Sequence, residues 1–352
     1  MNPGTQLDFN KPVKKILVVC VNWVGDVIFS TPVFKALKRV APGASLTCLA
    51  VPRVKDILQS CSAVDEVILY DEKGRHRSLW AKAGLVWRLR KERFDICFLL
   101  HRSWTRALLV YLAGIPERVG YDTKNRGKFL TRAVELDPEI IHRSDFYLHI
   151  LTSCGVPVSD WTCELDVSLL AETQAQALLK AEGVNAGEPY VVMNAGGNWD
   201  LKRWPKENFA DLVRQISEDY GIRVLIPGAR KDVRLAEEIA RLSKADPVIL
   251  AGKTDLKQLL ALLKKARLVV SSDSGPMHMA NCVGTPVITV FGPTCPEVTG
   301  PRGKGSAVVL RKDVGCNRQA CYKIDCPDNV CMKAVTVEEV MRAAKPFLSQ
   351  HG

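Results

Sequence analysis

Short, mostly apolar runs alternate with amphipathic stretches along both halves of the chain, and this alternation restricts the fold more than any other feature. The runs fall at residues 15–20, 46–50, 66–69 and 95–100, then at 190–194, 223–226, 248–250, 268–271 and 287–291. Strands buried on both faces read in this way, and an amphipathic stretch between successive strands predicts a helix crossing back over the sheet. The expected fold class is therefore α/β, with parallel sheets covered by helices. A chain of 352 residues exceeds one typical domain. Residues 164–189 supply a polar connection and one helix, 172–182, ended by Gly183, so the expected domains are 1–167 and 168–352. Both halves repeat the order strand, glycine-containing turn, helix, which predicts two nucleotide-binding-like domains facing across a cleft.

In such folds the chemistry gathers where strands hand over to helices. In RLVVSSDSGPMHMANCVGTPVITVFGPT, residues 267–294, the loop Asp273, Ser274 and Gly275 precedes a helix opened by Pro276. Pro suits a first helical turn because its missing N–H has no partner there. Free N–H groups and the positive end of the helix dipole favour a phosphate, and Gly275 allows close backbone approach. An ordinary βαβ turn capped by Asp273 or Ser274 is the alternative. His278, in the first turn, is disfavoured in its charged form by the dipole and can donate one hydrogen bond as a neutral imidazole. Met277 and Met279 read as core filler.

Near the start, KKILVVCVNWVGDVIFSTPVFKALKRV reads as a buried strand, a turn at Val24-Gly25-Asp26 and one helix to about Val40. Asp26 either caps that helix or complements its dipole, or it reaches a ligand in the cleft. The turn holds one glycine, so a G-x-G-x-x-G dinucleotide fingerprint is absent and a dehydrogenase is poorly supported. The second half opens with a loop carrying Gly196 and Gly197, then Lys202 and Arg203 before a helix, again suited to phosphate unless the two cations are merely solvated. Gly228 and Asp232 follow the next strand, where a carboxylate can bind ribose hydroxyls. The stretch 73–93 mixes Trp80, Leu85, Val86, Trp87 and Leu89 with basic residues, and Lys82 to Arg93 reads as a crossover helix with a solvated face. Lys73, Arg75 and Arg77 precede it and are freer to meet an anion.

A formal charge of +11 implies an anionic partner. The chain shows no helix-turn-helix, RNA-recognition signature or basic-aromatic stripe, so nucleic acid is not expected. No apolar run approaches the roughly 18 residues that span a bilayer, and MNPGTQLDFNKPVKK lacks a signal-peptide core, so a cytoplasmic protein is expected. Twelve cysteines, some within strand-like runs, fit a reducing compartment. Cys316, Cys321, Cys326 and Cys331 recur every five residues without the close pairs usual in zinc sites, so reduced thiols or a labile disulfide are favoured over a metal.

Together NWVGDVIFSTP, AGIPERVGYD, AGGNWDLKRWP, GKTDLKQLLALLKKA and SDSGPMHMANCVGTPVITVFGPTCPEVTGP, in that order, resemble the lipopolysaccharide heptosyltransferases, most nearly the heptosyltransferase II group. The similarity runs from about Lys14 to Leu348. It implies a GT-B architecture, an acceptor bound mainly by the first domain and ADP-heptose by the second. It also implies inverting, metal-independent transfer without a cofactor onto an anionic heptosyl-Kdo-lipid A at the cytoplasmic face of the inner membrane, with peripheral contact to that anionic surface. The absence of a D-x-D motif agrees. By position, Asp26 matches the family's general base and Lys202 its lysine at the donor phosphates, with Ser274, Gly275 and His278 on the pyrophosphate turn. Asp273, Asp232 and Thr254 match donor positions more loosely, Asp232 near ribose and Thr254 near adenine. Lys73, Arg75, Arg77 and Arg126 fall where the family meets its phosphorylated acceptor. The rivals are a sugar-nucleotide epimerase or hydrolase of the same fold and a non-catalytic nucleotide- or metal-binding module.

Overall fold

A computed structural model describes residues 13–316, 321 and 326–349. The chain divides into two compact units between Leu165 and Asp166.

In the first unit, strands β1 (Lys15–Val19), β2 (Ser45–Ala50), β3 (Glu66–Leu69), β4 (Ile96–Leu99), β5 (Glu117–Tyr121) and β6 (Arg132–Val134) form one sheet in the order β3-β2-β1-β4-β5-β6. Every neighbouring pair is parallel, with Val18 of β1 facing Cys48 on one side and Phe98 on the other. The helices are α1 (Val24–Phe29), α2 (Thr31–Val40), α3 (Lys55–Gln59), α4 (Leu79–Glu92), α5 (Trp104–Leu112) and α6 (Arg143–Thr152). Leu17, Val19, Leu99, Leu85 and Leu89 share one buried cluster, so α4 seals one face of this sheet.

The second unit repeats the plan. Strands β7 (Tyr190–Asn194), β8 (Arg223–Ile226), β9 (Val248–Ile249), β10 (Leu268–Ser272), β11 (Val287–Phe291) and β12 (Ala307–Arg311) run in the order β12-β11-β10-β7-β8-β9, again all parallel. Its helices are α7 (Leu169–Ala181), α8 (Lys206–Tyr220), α9 (Val233–Ser243), α10 (Leu256–Lys265), α11 (Gly275–Cys282), α12 (Pro296–Thr299), α13 (Val330–Lys333) and α14 (Val337–Leu348). Counted within its unit, each sheet reads 3-2-1-4-5-6, the Rossmann order, in which strand order reverses between the first and fourth strands. Ligands bind in open α/β sheets at the carboxyl ends flanking that reversal. The sequence motifs stand there: Asp26 follows β1, Gly196 and Gly197 follow β7, and Asp273 to Gly275 follow β10.

Two expectations change. The single helix to Val40 is two helices, and the supposed turn at Val24 to Asp26 is the first turn of α1. The break has a local cause: Pro32 has no N–H to reach the Ile28 carbonyl, and the Thr31 hydroxyl donates to that oxygen instead at 2.8 Å. Strands β5, β6 and β12 add to the nine apolar runs. Among the described residues no helix is long and apolar enough to cross a membrane.

Candidate functional site

A cavity of about 580 Å³ opens at the switch point of the first unit, lined by the segments after β1 and β4, by Lys124, and by the start of α6. Asp26 is the only carboxylate among its lining residues, which include Arg102, Lys124 and Arg143. Its Oδ1 accepts a hydrogen bond from the Tyr147 hydroxyl at 2.9 Å. Helix α6 starts where it does because the His142 side chain accepts from the Ser144 N–H at 3.1 Å, and this start sets the faces of the helix. Arg143 and Tyr147, four residues apart, then point the same way. Burial, then the neighbouring Asp26 carboxylate, push the Tyr147 phenol well above its ordinary pKa, so it stays a donor. Asp26 lies in the first turn of α1 but caps nothing, since Trp23 occupies the cap without a side-chain bond. The cap alternative for Asp26 therefore falls, although a favourable interaction with the dipole of the short helix remains.

Behind this wall sit two buried guanidinium groups. Arg106 donates to the Cys20 carbonyl and the Asn22 side chain, both at 2.8 Å. Arg126 donates to the carbonyls of Tyr121 at 2.7 Å and of His101. A buried guanidinium must find acceptors, and three of these four are backbone oxygens. Arg126 is thus fully buried and braces the wall from behind, where a direct acceptor contact was expected. Burial, then Arg106, Arg126, Lys124 and Arg102, lower the His101 pKa to about 4, so its imidazole is neutral at physiological pH and the cavity's positive charge resides on arginine and lysine. Lys73, Arg75 and Arg77 are exposed in the turn after β3, where the Asp71 carboxylate accepts from the Gly74 and Arg75 N–H groups at 3.0 and 3.1 Å.

In the second unit, the loops after β7 and β10 converge. Lys202 Nζ lies 2.6 Å from Asp273 Oδ2, and His278 Nε2 is 3.6 Å from Asp273 Oδ1. Burial raises the Asp273 pKa, but the His278 hydrogen bond and the Lys202 charge outweigh it and hold this carboxyl well below the usual range. Asn194 at the end of β7 donates to Ser271 at 2.9 Å and to Ser274 at 2.8 Å, fixing the loop whose next residues open α11. Ser274 is the helix N-cap by backbone without a side-chain cap bond, and Pro276 stands in the first turn, as its ring favours. The opening N–H groups of α11 follow directly on the Asp273 carboxylate that holds the Lys202 ammonium, an arrangement that suits an anion. Met277 and Met279 are fully buried core residues, as expected.

The neighbouring loops are tied together by Arg203 and Asp232. Arg203 donates to the Gly197 carbonyl at 2.7 Å and lies 3.4 Å from Asp232, whose carboxylate also accepts from the Ala229 N–H at 3.0 Å. A Cβ on Gly196 would lie 2.9 Å from the Asp232 carboxyl carbon, so only glycine lets these loops approach so closely. Arg203 and Asp232, both expected at the donor, hold these loops together. Gly228 packs beside Asp232, and Thr254 is half-buried just before Asp255, the N-cap of α10.

Cys316 is exposed and Cys321, Cys326 and Cys331 are less so, while residues 317–320 and 322–325 of that segment lie outside the described residues. Among the described residues no three His, Cys, Asp or Glu side chains are grouped to hold a metal ion. Sequence reasoning missed Arg102, Lys124, Arg143 and Tyr147. Arg102 had a signal, because it follows a strand at the carboxyl edge, whereas the 121-residue separation of Tyr147 from Asp26 left none.

The description "glycosyltransferase family 9 (heptosyltransferase)" matches residues 83–329. The chain is 27% identical to lipopolysaccharide heptosyltransferase 2 of Salmonella typhimurium over 84% of its own length and 87% of that protein's. It superposes on a family 9 glycosyl transferase from Veillonella parvula with a TM-score of 0.85, at 26% identity over 95% of this chain and 97% of that one. It superposes on E. coli ADP-heptose LPS heptosyltransferase II with a TM-score of 0.78, at 25% identity over 95% and 98% of the two chains. Two Rossmann-like sheets of one topology, a switch-point carboxylate in a cationic cavity and a phosphate-type cradle agree with these likenesses, and the chain belongs to glycosyltransferase family 9, the heptosyltransferases.

Proposed function

We propose that this protein moves a heptose from ADP-heptose onto the inner core of lipopolysaccharide, as the names of its relatives describe for them. The observation that carries the reading is the pairing of one carboxylate, Asp26, with three cationic side chains in the first unit's cavity. A phosphorylated acceptor suits that charge, and a carboxylate among its hydroxyls suits proton abstraction. Lys73, Arg75 and Arg77 extend the same positive field beyond the cavity. The acceptor hydroxyl oxygen attacks the anomeric carbon while its proton passes to Asp26. The bond from that carbon to the β-phosphate oxygen breaks, and its electron pair leaves on ADP. Lys202, His278 and the N–H groups opening α11 stabilise the charge that ADP gains. Asp232 and Thr254, with Gly196, Gly197 and Gly228, shape the nucleoside side of the donor site. The reaction takes place at the cytoplasmic face of the inner membrane, where such an acceptor is anchored.

A single displacement inverts the anomeric centre. The test is the configuration of the new glycosidic bond by NMR: inversion supports Asp26 as base to the incoming hydroxyl, and retention contradicts it. Tyr147 acts as a positioning residue, because its bond to Oδ1 fixes the carboxylate and directs Oδ2 to the substrate. Tyr147→Phe should lower kcat about tenfold or more with little change in KM for either substrate, since a hydrogen bond to a charged group contributes about 1.5–3 kcal/mol. A rise in KM with unchanged kcat would assign Tyr147 to binding instead.

A further inference from the structure

Helix α4 faces its large aromatic residues away from the core it covers. Leu85 and Leu89 are buried, yet Trp80 and Trp87 are 88% and 59% exposed, and Leu79 beside them is 81% exposed. Trp80 and Trp87 lie two helical turns apart and so share a face, with exposed Ala83 and Gly84 between them. The solvated face of this crossover helix therefore carries apolar side chains with basic residues beside them. Contiguous exposed apolar surface rimmed by polar groups marks an interaction site.

The rim identifies the partner. Lys73, Arg75, Arg77, Arg90 and Lys91 are exposed around the stripe, and the Lys91 ammonium stands 3.5 Å from the centre of the Trp87 ring. Nearby acids are already engaged: Glu66 with Arg88 at 3.2 Å and Glu92 with Lys15 at 2.8 Å. Protein-binding surfaces are depleted in lysine at their centres, whereas indole rings between lysines and arginines suit the headgroup layer of an anionic bilayer. The location agrees. Because every strand is parallel, the turn leading from β3 into α4 leaves the same sheet edge as Asp26 and Arg102. Within that turn Glu72 lies 3.9 Å from Arg106, which bonds Asn22 on the cavity wall.

We propose that Leu79, Trp80 and Trp87, with the basic rim, dock this protein on an anionic lipid surface and bring the cavity of the first unit to a lipid-anchored acceptor. The second clause rests on the functional reading above, but docking is measured without turnover. The full chain and its Trp80→Ser/Trp87→Ser variant are sedimented with vesicles of phosphatidylcholine mixed with phosphatidylglycerol and of phosphatidylcholine alone. The expected result is binding of the unaltered chain to the mixed vesicles, weakened about tenfold or more by the double substitution. Turnover on a vesicle-embedded acceptor should fall in parallel, and turnover on a deacylated, water-soluble acceptor should be unchanged. Equal vesicle binding by both proteins overturns the proposal. So does a loss of self-association in the variant without loss of vesicle binding, which would make the stripe a contact between copies. Vesicle binding that depends on the two tryptophans, with no turnover on either acceptor, upholds docking while removing the functional reading.

Discussion

Asp26→Asn should lower turnover by about 10²- to 10⁴-fold, the usual contribution of a positioned general base, while ADP affinity stays as it was. The amide keeps the shape of the carboxylate and can still accept from the Tyr147 hydroxyl, 2.9 Å from Oδ1 in the native chain. It loses only the capacity to take a proton. The residues proposed for ADP, Lys202 and the start of α11, belong to the other unit, so calorimetric titration with ADP serves as the control. Turnover near that of the native enzyme would reduce Asp26 to an acid in the first turn of a short helix. A parallel loss of ADP binding would point to misfolding.

The second large effect is on stability. Trp204→Ala should cost about 3–5 kcal/mol and lower the melting transition of the second unit by about 6–20 °C. Trp204 is 2% exposed and meets the Phe209 ring edge-on at 5.1 Å. Its indole N–H donates to the Val335 carbonyl at 2.9 Å, and its backbone N–H donates to Ser272 at 3.2 Å. Trp204 thus ties the loop carrying Lys202 to the end of β10 through its backbone and to the segment before α14 through its side chain. Truncation leaves a cavity and an orphaned carbonyl together. Calorimetric unfolding checks the size of the effect, and ADP affinity should fall with it because Lys202 stands two residues away. A loss below about 1 kcal/mol would mean that the loop is held by other contacts.

What the sequence showed and what it hid have physical causes. Asp26, the Gly196-Gly197 loop and the Asp273 to Gly275 turn were legible because parallel sheets place every ligand-facing loop after a strand, and strands buried on both faces are easy to see. The edge strands were not: ERVGY and RAV in the first unit carry charge, and β12 is only partly buried, so neither pattern separates them from loops. The helix break at Ser30 turns on one missing N–H, visible only once Thr31 is seen to replace it. Tyr147, Arg143 and Lys124 reach the cavity through tertiary packing, which no local spacing records. Arg126 was placed in the acceptor region by the resemblance alone, and in the fold its guanidinium donates to carbonyl oxygens. In α4 the mixed pattern did not separate inward from outward apolar residues, and helical geometry brings Leu85 and Leu89 inward and leaves both tryptophans outside.

The most direct test of the account is ADP release by the purified protein from ADP-heptose, measured with and without heptosyl-Kdo-lipid A. The account predicts release that depends on the acceptor, accompanied by an equal amount of lipid heavier by one heptose. Equal release in both conditions, or none in either, would contradict it.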